Sequence, residues 1–307
     1  MHVEVHQARA FLAVAEELHF GRAAQRLHMT QPPLSRLIRT LEDELGAELF
    51  DRSPRHVALT AVGEALVEPA RELVMQSERM PLLARRAQRG ETGRVRLGFS
   101  GASVNAVVSA LARCVRRSRP DLALELYGSH LSEPGMERLR SGALDALVGR
   151  WDRLPPEIDS QVLAEEELFV ALAEDHPLAA KPVLSPADVA EEPWIVLPGG
   201  SGATLSARMH QLAMLGGFAP RVVQVAADSA TQLLLVDAGL GIALIFSGVR
   251  ENIPVHSVVF RRPEPGLGAV EVRLAWRRDH VSPALAGVID IARTFPPGGG
   301  DLRATIP

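Results

Sequence analysis

The chain has 307 residues, 47% of them hydrophobic and 23% charged, and a formal net charge of −4. This length and apolar content suffice for two or three domains with packed cores, which argues against fibrous and disordered classes of protein. No apolar run reaches the roughly 18 residues of a membrane span, and the first residues lack a signal-peptide pattern, so we expect a soluble cytoplasmic protein without a membrane partner. The single cysteine, Cys114, excludes an intrachain disulfide and is expected to be a buried packing residue.

The average charge hides a basic segment near the N-terminus. Residues 20–40 contain the arginines Arg22, Arg26, Arg36 and Arg39 and no carboxylate. Clustered positive charge, rather than net charge, is what attracts DNA phosphates. The segment is therefore a candidate nucleic-acid-binding surface, although the chain as a whole is acidic.

Residues 1–60 show the apolar spacing of short helices. The apolar residues of the third helix are Leu34, Leu37, Ile38, Leu41 and Leu45. A three-residue turn, 28–30, separates this helix from the preceding one, as in a helix-turn-helix. Thr30 is expected to cap the third helix. The adjacent Pro32 and Pro33 fit its first turn, because amide hydrogens there have no partner inside the helix.

The opposite face of the third helix is polar. Gln31, Ser35 and Arg39 follow one another at helical spacing, and Arg36 lies beside them. Arginine can form two hydrogen bonds with guanine, glutamine can pair with adenine, and serine can contact base or phosphate, so this face suits a DNA major groove. A solvated helix face is the alternative, and the short turn, the cap and the basic cluster favour DNA.

A short hairpin is predicted after the third helix. Arg52, Arg55 and His56 surround the turn residues Ser53 and Pro54, between short apolar runs. A hairpin with a basic tip suits a wing that contacts the phosphate backbone or the minor groove.

Residues 61–89 show a long helical pattern with a seven-residue repeat. The stripe consists of Leu66, Leu73, Met80 and Ala87, with the smaller Ala70, Ser77 and Ala84 between them. It indicates a dimer interface between two such helices, with ordinary core packing as the alternative. The prolines Pro69 and Pro81 predict a bend or break, most strongly at Pro81.

Beyond a linker at 90–93 the pattern changes to strands alternating with helices, which is typical of parallel α/β units. Strands are expected at RVRLGF, LALEL and ALVG, with helices at about 104–117 and 134–142 between them. A second set, LFVAL, WIVL, RVVQVA and GIALIF, begins near Glu165, and VEVRLAW is expected to return to the first set. The tail from Pro296 is expected to be disordered.

Motifs for enzymes and cofactors are incomplete. Gly239-Leu240-Gly241 precedes a strand, which reverses the order of a dinucleotide fingerprint, and the glycine-rich stretch 198–206 has no P-loop lysine. The ten histidines show no metal-binding spacing. Ser100 lies in GFSGAS, which breaks the G-x-S-x-G frame of a nucleophile elbow. We therefore expect no cofactor, no metal and no catalytic residue, and a hydrolase built on Ser100 is the alternative.

The segment FLAVAEELHFGRAAQRLHMTQPPLSRLIRTLEDELGAELFDRSPRHVALTAVGEAL resembles the N-terminal domain of LysR-type transcriptional regulators. DHPLA, EEPWI and LVDAGLGIAL extend the resemblance to about Phe295. The resemblance implies an α/β fold class with a winged helix-turn-helix over 1–60, a dimerising linker helix over 61–89, and an effector domain over 90–295. That domain would fold like a type 2 periplasmic binding protein, with one α/β subdomain at about 94–163 and 268–295 and the other at about 164–267.

The resemblance also implies a function. Members of the family usually form tetramers that bend promoter DNA and change the bend on binding a small molecule. The expected partners are therefore double-stranded promoter DNA, a small-molecule effector, and further copies of the chain in a dimer and tetramer, with RNA polymerase as a further candidate. A solute-binding protein is the alternative, but it would need a signal peptide and no helix-turn-helix.

The family's DNA-contacting positions correspond to Gln31, Pro32, Ser35 and Arg36 on the third helix and to Arg52 in the wing. The residue pattern adds Thr30, Arg39 and Arg55 to this set. The chain departs from the family at Gly21, where serine or threonine more often caps the second helix. Glycine is also an acceptable cap.

The family's effector cleft is lined by loops that lead into helices. The corresponding positions are Ser100, Ser103, Ser129, Arg150, Ser201 and Thr204, with Ser229 as a further candidate. Hydroxyls and free amides at helix starts, together with the arginine fork, suit a carboxylate or another small anion. These positions include no carboxylate, so the sequence predicts an anionic effector. The alternative is that Arg150 is a surface residue paired with Asp152.

Overall fold

The computed structural model describes residues 3–53, 56–128, 132–198 and 203–295, with residues 52, 53, 56, 132 and 133 described through their backbone alone. The chain divides into two compact units, Met1–Arg86 and Ala87–Pro307. Within the described ranges, every helix is too short or too polar to span a membrane.

The first unit combines helices with one antiparallel hairpin. Its elements are α1 (Val5–Glu17), α2 (Phe20–Arg26), α3 (Gln31–Leu45), β1 (Phe50–Ser53), β2 (His56–Leu59) and α4 (Ala61–Gln88), the last of which continues into the second unit. The ring of Phe50 packs against those of Phe11 and Phe20, with centroids 5.5 and 5.9 Å away. These rings form the centre of a core that α1, α2, α3 and the hairpin share.

Helix α3 starts where its prolines predict. Gln31, Pro32 and Pro33 form its first turn, with Thr30 at the cap position. The predicted side-chain cap is wrong, because the Thr30 hydroxyl makes no hydrogen bond to the helix. A capping side chain accepts from the second or third amide of a helix, and in α3 both of these positions are prolines, which have no amide hydrogen.

Helix α4 runs without interruption through Pro69 and Pro81, so of the predicted bend or break at Pro81 the break is wrong and the bend stays a prediction. Each proline removes one main-chain hydrogen bond, and the bonds on either side keep the helix continuous. The start of α4 is held by Thr60, whose hydroxyl accepts from the Gly63 amide at 3.0 Å and donates to the Glu48 carbonyl at 2.7 Å.

The second unit alternates strands and helices. Its strands are β3 (Thr92–Phe99), β4 (Asp121–Tyr127), β5 (Ala146–Arg150), β6 (Ile158–Glu166), β7 (Leu168–Ala173), β8 (Val183–Leu184), β9 (Pro193–Val196), β10 (Arg221–Val225), β11 (Ala243–Phe246), β12 (Val258–Pro263) and β13 (Val270–Arg277). Its helices are α5 (Asn105–Ser118), α6 (Ser132–Arg140), α7 (Thr204–Gly216), α8 (Ser229–Asp237), α9 (Ser247–Asn252) and α10 (Pro283–Ala292), and a short 3₁₀ helix, Ala102–Val104, precedes α5.

Five of the described strands form the first sheet, in the order β4-β3-β5-β13-β6. The pairs β3–β4 and β3–β5 are parallel, as the alternating pattern predicts. Strand β13 returns to this sheet, which confirms the prediction for VEVRLAW, and it runs antiparallel to both β5 and β6. Cys114 is partly buried and packs against the core of this sheet.

A second sheet has the order β11-β7-β12-β8, and β9 and β10 form a separate parallel pair. The core that these two sets of strands share with α8 includes Phe169, Trp194, Leu233 and Leu244. The chain leaves the first sheet after Glu166 and returns to it at Val270, so the second sheet lies within an insertion between β6 and β13.

Candidate functional site

The polar face of α3 is open to solvent. Gln31, Pro32, Arg36 and Arg39 are exposed and Ser35 is partly exposed. The opposite side is anchored in the core by three buried residues, Leu34, Ile38 and Leu41. The structure therefore brings the predicted residues of this helix together on one surface, which we call the α3 face (Gln31, Pro32, Ser35, Arg36 and Arg39), with the exposed Thr30 at its start.

The four arginines of residues 20–40 differ in their partners. Arg22 Nε lies 3.2 Å from Glu17 Oε2, and Arg26 is 2.6 Å from Glu16 Oε2. These carboxylates belong to α1, outside the segment that the sequence pattern covers. Among the described residues no carboxylate lies within salt-bridge distance of Arg36 or Arg39, so these two cations are the ones available to a nucleic acid.

The structure corrects the expectation that Gly21 caps α2. The cap residue is His19, whose Nδ1 accepts from the amides of Gly21 and Arg22 at 3.0 and 3.2 Å. A Cβ atom at position 21 would lie 2.9 Å from His19 Cε1, closer than side chains tolerate. Gly21 thus leaves room for the capping imidazole, and the helix start is satisfied without serine or threonine.

The wing is a hairpin formed by β1 and β2. Arg52 belongs to β1, where its backbone pairs with that of Val57. Arg55 lies outside the described residues. The hairpin confirms the predicted strand–turn–strand pattern, and the roles of Arg52 and Arg55 stay predictions.

Helix α4 carries the predicted stripe, and its two ends differ. Leu66 and Ala70 pack against the core of the first unit. Leu73 and Met80, further along, are 37% and 69% exposed. The stripe therefore contributes to the core at its start and leaves an apolar surface uncovered beyond Leu73.

We expect Leu73→Glu to raise the dissociation constant of the dimer by at least about tenfold, because it places a charge in an apolar seam. Affinity for a DNA site with two half-sites should fall with it. Met75→Glu is the control, since Met75 is 58% exposed and two residues further along, on another side of the helix. Light scattering of the full chain across a concentration series gives the answer. A Leu73→Glu protein with the mass and DNA affinity of the wild type would place the seam elsewhere.

A cavity of about 360 Å³ lies in the second unit. Its walls come from the ends of β3, β5, β9 and β11, the first turn of α7 and the start of α8. The lining residues are Ser100, Ser103, Pro134, Arg150, Val196, Leu197, Pro198, Ala203, Thr204, Leu205, Ser206, Met209, Ser229, Gln232, Leu244 and Phe246. Of the predicted effector residues, Ser100, Ser103, Arg150 and Thr204 meet here, as does Ser229, whereas Ser129 and Ser201 lie outside the described residues.

Arg150 is not a free cation. Its guanidinium donates to both oxygens of Glu166, from Nε at 2.5 Å and from Nη2 at 2.9 Å, and both side chains are more than nine-tenths buried. Nη1 donates to Ser103 Oγ at 3.1 Å, and the guanidinium carbon lies 4.2 Å from the centre of the Phe246 ring. The expectation that no carboxylate competes with an anion at Arg150 is therefore wrong.

The alternative prediction, that Arg150 is a surface residue paired with Asp152, is also wrong. It is buried, and Asp152 pairs instead with Arg208 of α7 at 2.9 Å. Thr204, at the start of α7, donates a long hydrogen bond of 3.4 Å to the Arg150 carbonyl. Residues 150–152, at the end of β5, are thus joined to α7 by a hydrogen bond and an ion pair across the cavity.

Two residues of this site, Glu166 and Gln232, were not predicted from the sequence. Glu166 ends a strand that the pattern missed, since Ile158–Glu166 contains few apolar residues. Gln232 is the one amide side chain in the apolar helix α8 and is 1% exposed. The sequence signal for Gln232 was a single amide within the apolar segment SATQLLLVD. Such a residue is expected to be buried and to need a hydrogen-bond partner.

The cavity does not have the geometry of a hydrolase. Ser100 Oγ has no hydrogen-bond partner among the described residues, so no histidine activates it as a nucleophile. The same described part of the chain contains no group of three or more side chains suited to a metal ion. The arrangement of hydroxyls, an amide and apolar walls is suited to binding a small molecule.

Comparisons with known proteins identify two domains in the chain. Residues 5–64 match the family described as "Bacterial regulatory helix-turn-helix protein, lysR family", and residues 88–296 match "LysR substrate binding domain". The HTH-type transcriptional regulator ShiR of Corynebacterium glutamicum (strain R) is 39% identical over 293 residues, covering 94% of this chain and 98% of ShiR. The Hca operon transcriptional activator HcaR of Escherichia coli (strain K12) is 34% identical over 292 residues, with 95% and 97% covered.

A solved structure extends the likeness to the fold. Full-length CbnR, crystallised in complex with its target DNA, is 26% identical, with a TM-score of 0.79 and coverage of 95% of this chain and 99% of CbnR. The two family matches follow one another along this chain, and the relatives and the solved structure each align with nearly its whole length. The chain therefore belongs to the LysR family of DNA-binding transcriptional regulators, with an effector-binding domain after its helix-turn-helix.

Proposed function

We propose that this regulator reads promoter DNA through the α3 face and Thr30, while Arg52 and Arg55 in the wing contact the phosphate backbone. The observation that carries the proposal is the pair Arg36 and Arg39, which point from an anchored helix without a carboxylate partner among the described residues. An uncompensated arginine on a rigid helix can form the two-bond contact with guanine that specific readout uses.

The proposed organisation follows the sequence boundaries. Residues 1–60 bind DNA, 61–89 pair with a second chain, and 90–295 bind the effector, within a homotetramer that acts in the cytoplasm. The uncovered apolar residues of α4 beyond Leu73 support pairing through this helix. RNA polymerase is proposed as a further partner on the family resemblance alone.

The proposed effector is a small molecule with a carboxylate or another small anionic group, bound in the 360 Å³ cavity. Ser100, Ser103, Arg150 and Thr204 contribute to its binding, as do Ser129 and Ser201 in the family-based assignment. Because Glu166 neutralises Arg150, the support for an anion comes from elsewhere. The first turn of α7 lines the cavity, and its cap residue, Ala203, offers no side-chain acceptor to the helix amides. A helix start of this kind attracts negative charge.

The test is a thermal-shift screen of the full chain against small carboxylates and matched neutral compounds, followed by intrinsic tryptophan emission. Carboxylates should raise the melting temperature of the wild type. Leu205→Phe, which enlarges a residue lining the cavity, should abolish the shift. Met214→Phe on the same helix should not, because Met214 is 83% exposed and does not line the cavity.

Two results would overturn parts of this proposal. If neutral compounds alone bind, the anionic group is wrong. If Leu205→Phe binds the best compound as tightly as the wild type does, the effector lies outside this cavity.

A further inference from the structure

The amide of Gln232 has one satisfied end and one unsatisfied end. Its Nε2 donates to the Ile195 carbonyl at 2.8 Å. A carbonyl can only accept, so the nitrogen must be the atom that lies against Ile195, and the orientation of the amide is fixed. Gln232 Oε1, at the other end, is buried and has no hydrogen-bond partner among the described residues.

Ser100, which also lines the cavity, has a second unsatisfied atom. Its amide donates to the Val148 carbonyl, which holds the residue at the end of β3. Its Oγ is buried and makes no hydrogen bond to any described residue. Buried polar atoms in folded proteins are rarely left without a partner. Ser100 and Gln232 both line the cavity, one at the end of β3 and one from α8, so a ligand that occupies it is the candidate partner for both atoms once a small side-chain rotation exposes them.

The kind of atom that is missing limits the ligand. Gln232 Oε1 can only accept, so its partner must donate a hydrogen. A carboxylate has no hydrogen to donate and cannot fill this role. A hydroxyl both donates and accepts, so it can satisfy Gln232 Oε1 and also pair with a serine hydroxyl. Arg150 does not serve Gln232 in this structure, since each of its three nitrogens donates to Glu166 or Ser103 and Gln232 Oε1 accepts from no described residue.

We infer that the effector is a hydroxylated molecule, in which one hydroxyl donates to Gln232 Oε1 and the same or a second hydroxyl pairs with Ser100 Oγ. The inference rests on the proposed function, in which the effector occupies this cavity, and it adds Gln232 as a specificity-determining residue. The apolar part of the cavity wall includes Val196, Leu244 and Phe246, and the volume is small. The ligand class is therefore a small hydroxylated acid with a hydrocarbon ring or a short chain.

The test compares matched pairs of acids on the full chain by isothermal titration calorimetry. The pairs are benzoate and 3,4-dihydroxybenzoate, cyclohexanecarboxylate and its 3,4-dihydroxy derivative, and hexanoate and 6-hydroxyhexanoate, with catechol as a neutral hydroxylated compound. In at least one pair the hydroxylated acid should bind the wild type about tenfold more tightly, the order expected for one additional satisfied hydrogen bond.

Two variants assign that preference to named atoms. Gln232→Leu should reduce the preference to below about threefold. Ser100→Ala, which removes one oxygen atom, should also weaken binding of the hydroxylated acid. Gln211→Leu is the control, since Gln211 is exposed on α7. Tryptophan emission verifies that each variant is folded, because Trp194 lies one residue before Ile195, the residue whose carbonyl accepts from Gln232.

The inference is overturned if no pair shows a preference for the hydroxylated acid, if none of the compounds binds, or if the preference persists in both Gln232→Leu and Ser100→Ala. The Leu205→Phe variant separates this failure from failure of the proposed function. Binding that Leu205→Phe abolishes, without a hydroxyl preference, leaves the cavity assignment intact and rejects the hydroxyl. Binding that survives Leu205→Phe rejects the cavity itself.

Discussion

Arg150→Ala should destabilise the second unit by about 3–5 kcal/mol, because it leaves the buried carboxylate of Glu166 without its partner. The two side chains are 5% and 8% exposed and are joined by two hydrogen bonds. Denaturant unfolding of the full chain, followed by tryptophan emission, measures the loss. The three tryptophans, Trp151, Trp194 and Trp276, all belong to the second unit, so the signal reports on that unit alone.

Two further variants make this result specific. Arg140→Ala removes an exposed pair with Glu157 and should cost at most about 1 kcal/mol. Replacing both Arg150 and Glu166 with methionine should recover much of the stability, since no buried charge then remains unpaired. A loss for Arg150→Ala no larger than that for Arg140→Ala would contradict the assigned role of the pair. The comparison also shows why weakened effector binding by Arg150→Ala would not by itself identify an anion contact.

Arg36→Ala should weaken binding to the specific DNA site by about 10- to 100-fold, which corresponds to roughly 1–3 kcal/mol, and should weaken binding to scrambled DNA much less. The reason is that Arg36 is exposed on the α3 face and has no carboxylate partner among the described residues. The specific site can be obtained by selecting DNA from a random pool with the wild-type protein. Fluorescence anisotropy at two salt concentrations then gives the affinities.

Two other arginines provide the comparison for Arg36. Arg52→Ala should weaken specific and scrambled DNA alike and lower the salt dependence, as expected for a phosphate contact. Arg22→Ala should have a smaller effect than either, because Arg22 is paired with Glu17. If Arg36→Ala reduces affinity for both DNAs equally, the arginine does not read bases.

Local patterns in the sequence were sufficient for the helix-turn-helix. Helical spacing identified Leu34, Ile38 and Leu41 as the buried side of α3, and the prolines identified its start. The cap at Thr30 fails because of the same two prolines: their missing amide hydrogens suit the helix start but leave the Thr30 hydroxyl no donor to accept from. Gly21 was interpreted as the cap residue because serine and threonine are the usual caps, whereas a histidine two residues earlier fills that role.

Pairings between distant strands could not be derived in this way. Arg150 and Glu166 lie at the ends of β5 and β6, which are not neighbours along the sheet. Strand β13 lies between them, with Val272 opposite Arg150 and Val270 opposite Glu166. The ion pair therefore depends on a strand more than 100 residues later in the chain, whose register no local pattern reveals. The same holds for Gln232, whose contact with Ile195 depends on how α8 packs against β9.

The insertion of the second sheet between β6 and β13 has a mechanical consequence. Its two connections leave from adjacent strands that are hydrogen-bonded to each other, with Val270 opposite Glu166. Two chain crossings side by side are an arrangement that suits a hinge, and a rotation there would also have to break the contacts of Arg150 and Asp152 with α7. The proposed ligand between Ser100 and Gln232 would contact residues on both sides of these crossings. We therefore expect ligand binding to favour one angle between the two lobes, of which the first begins at β3, after the long helix α4.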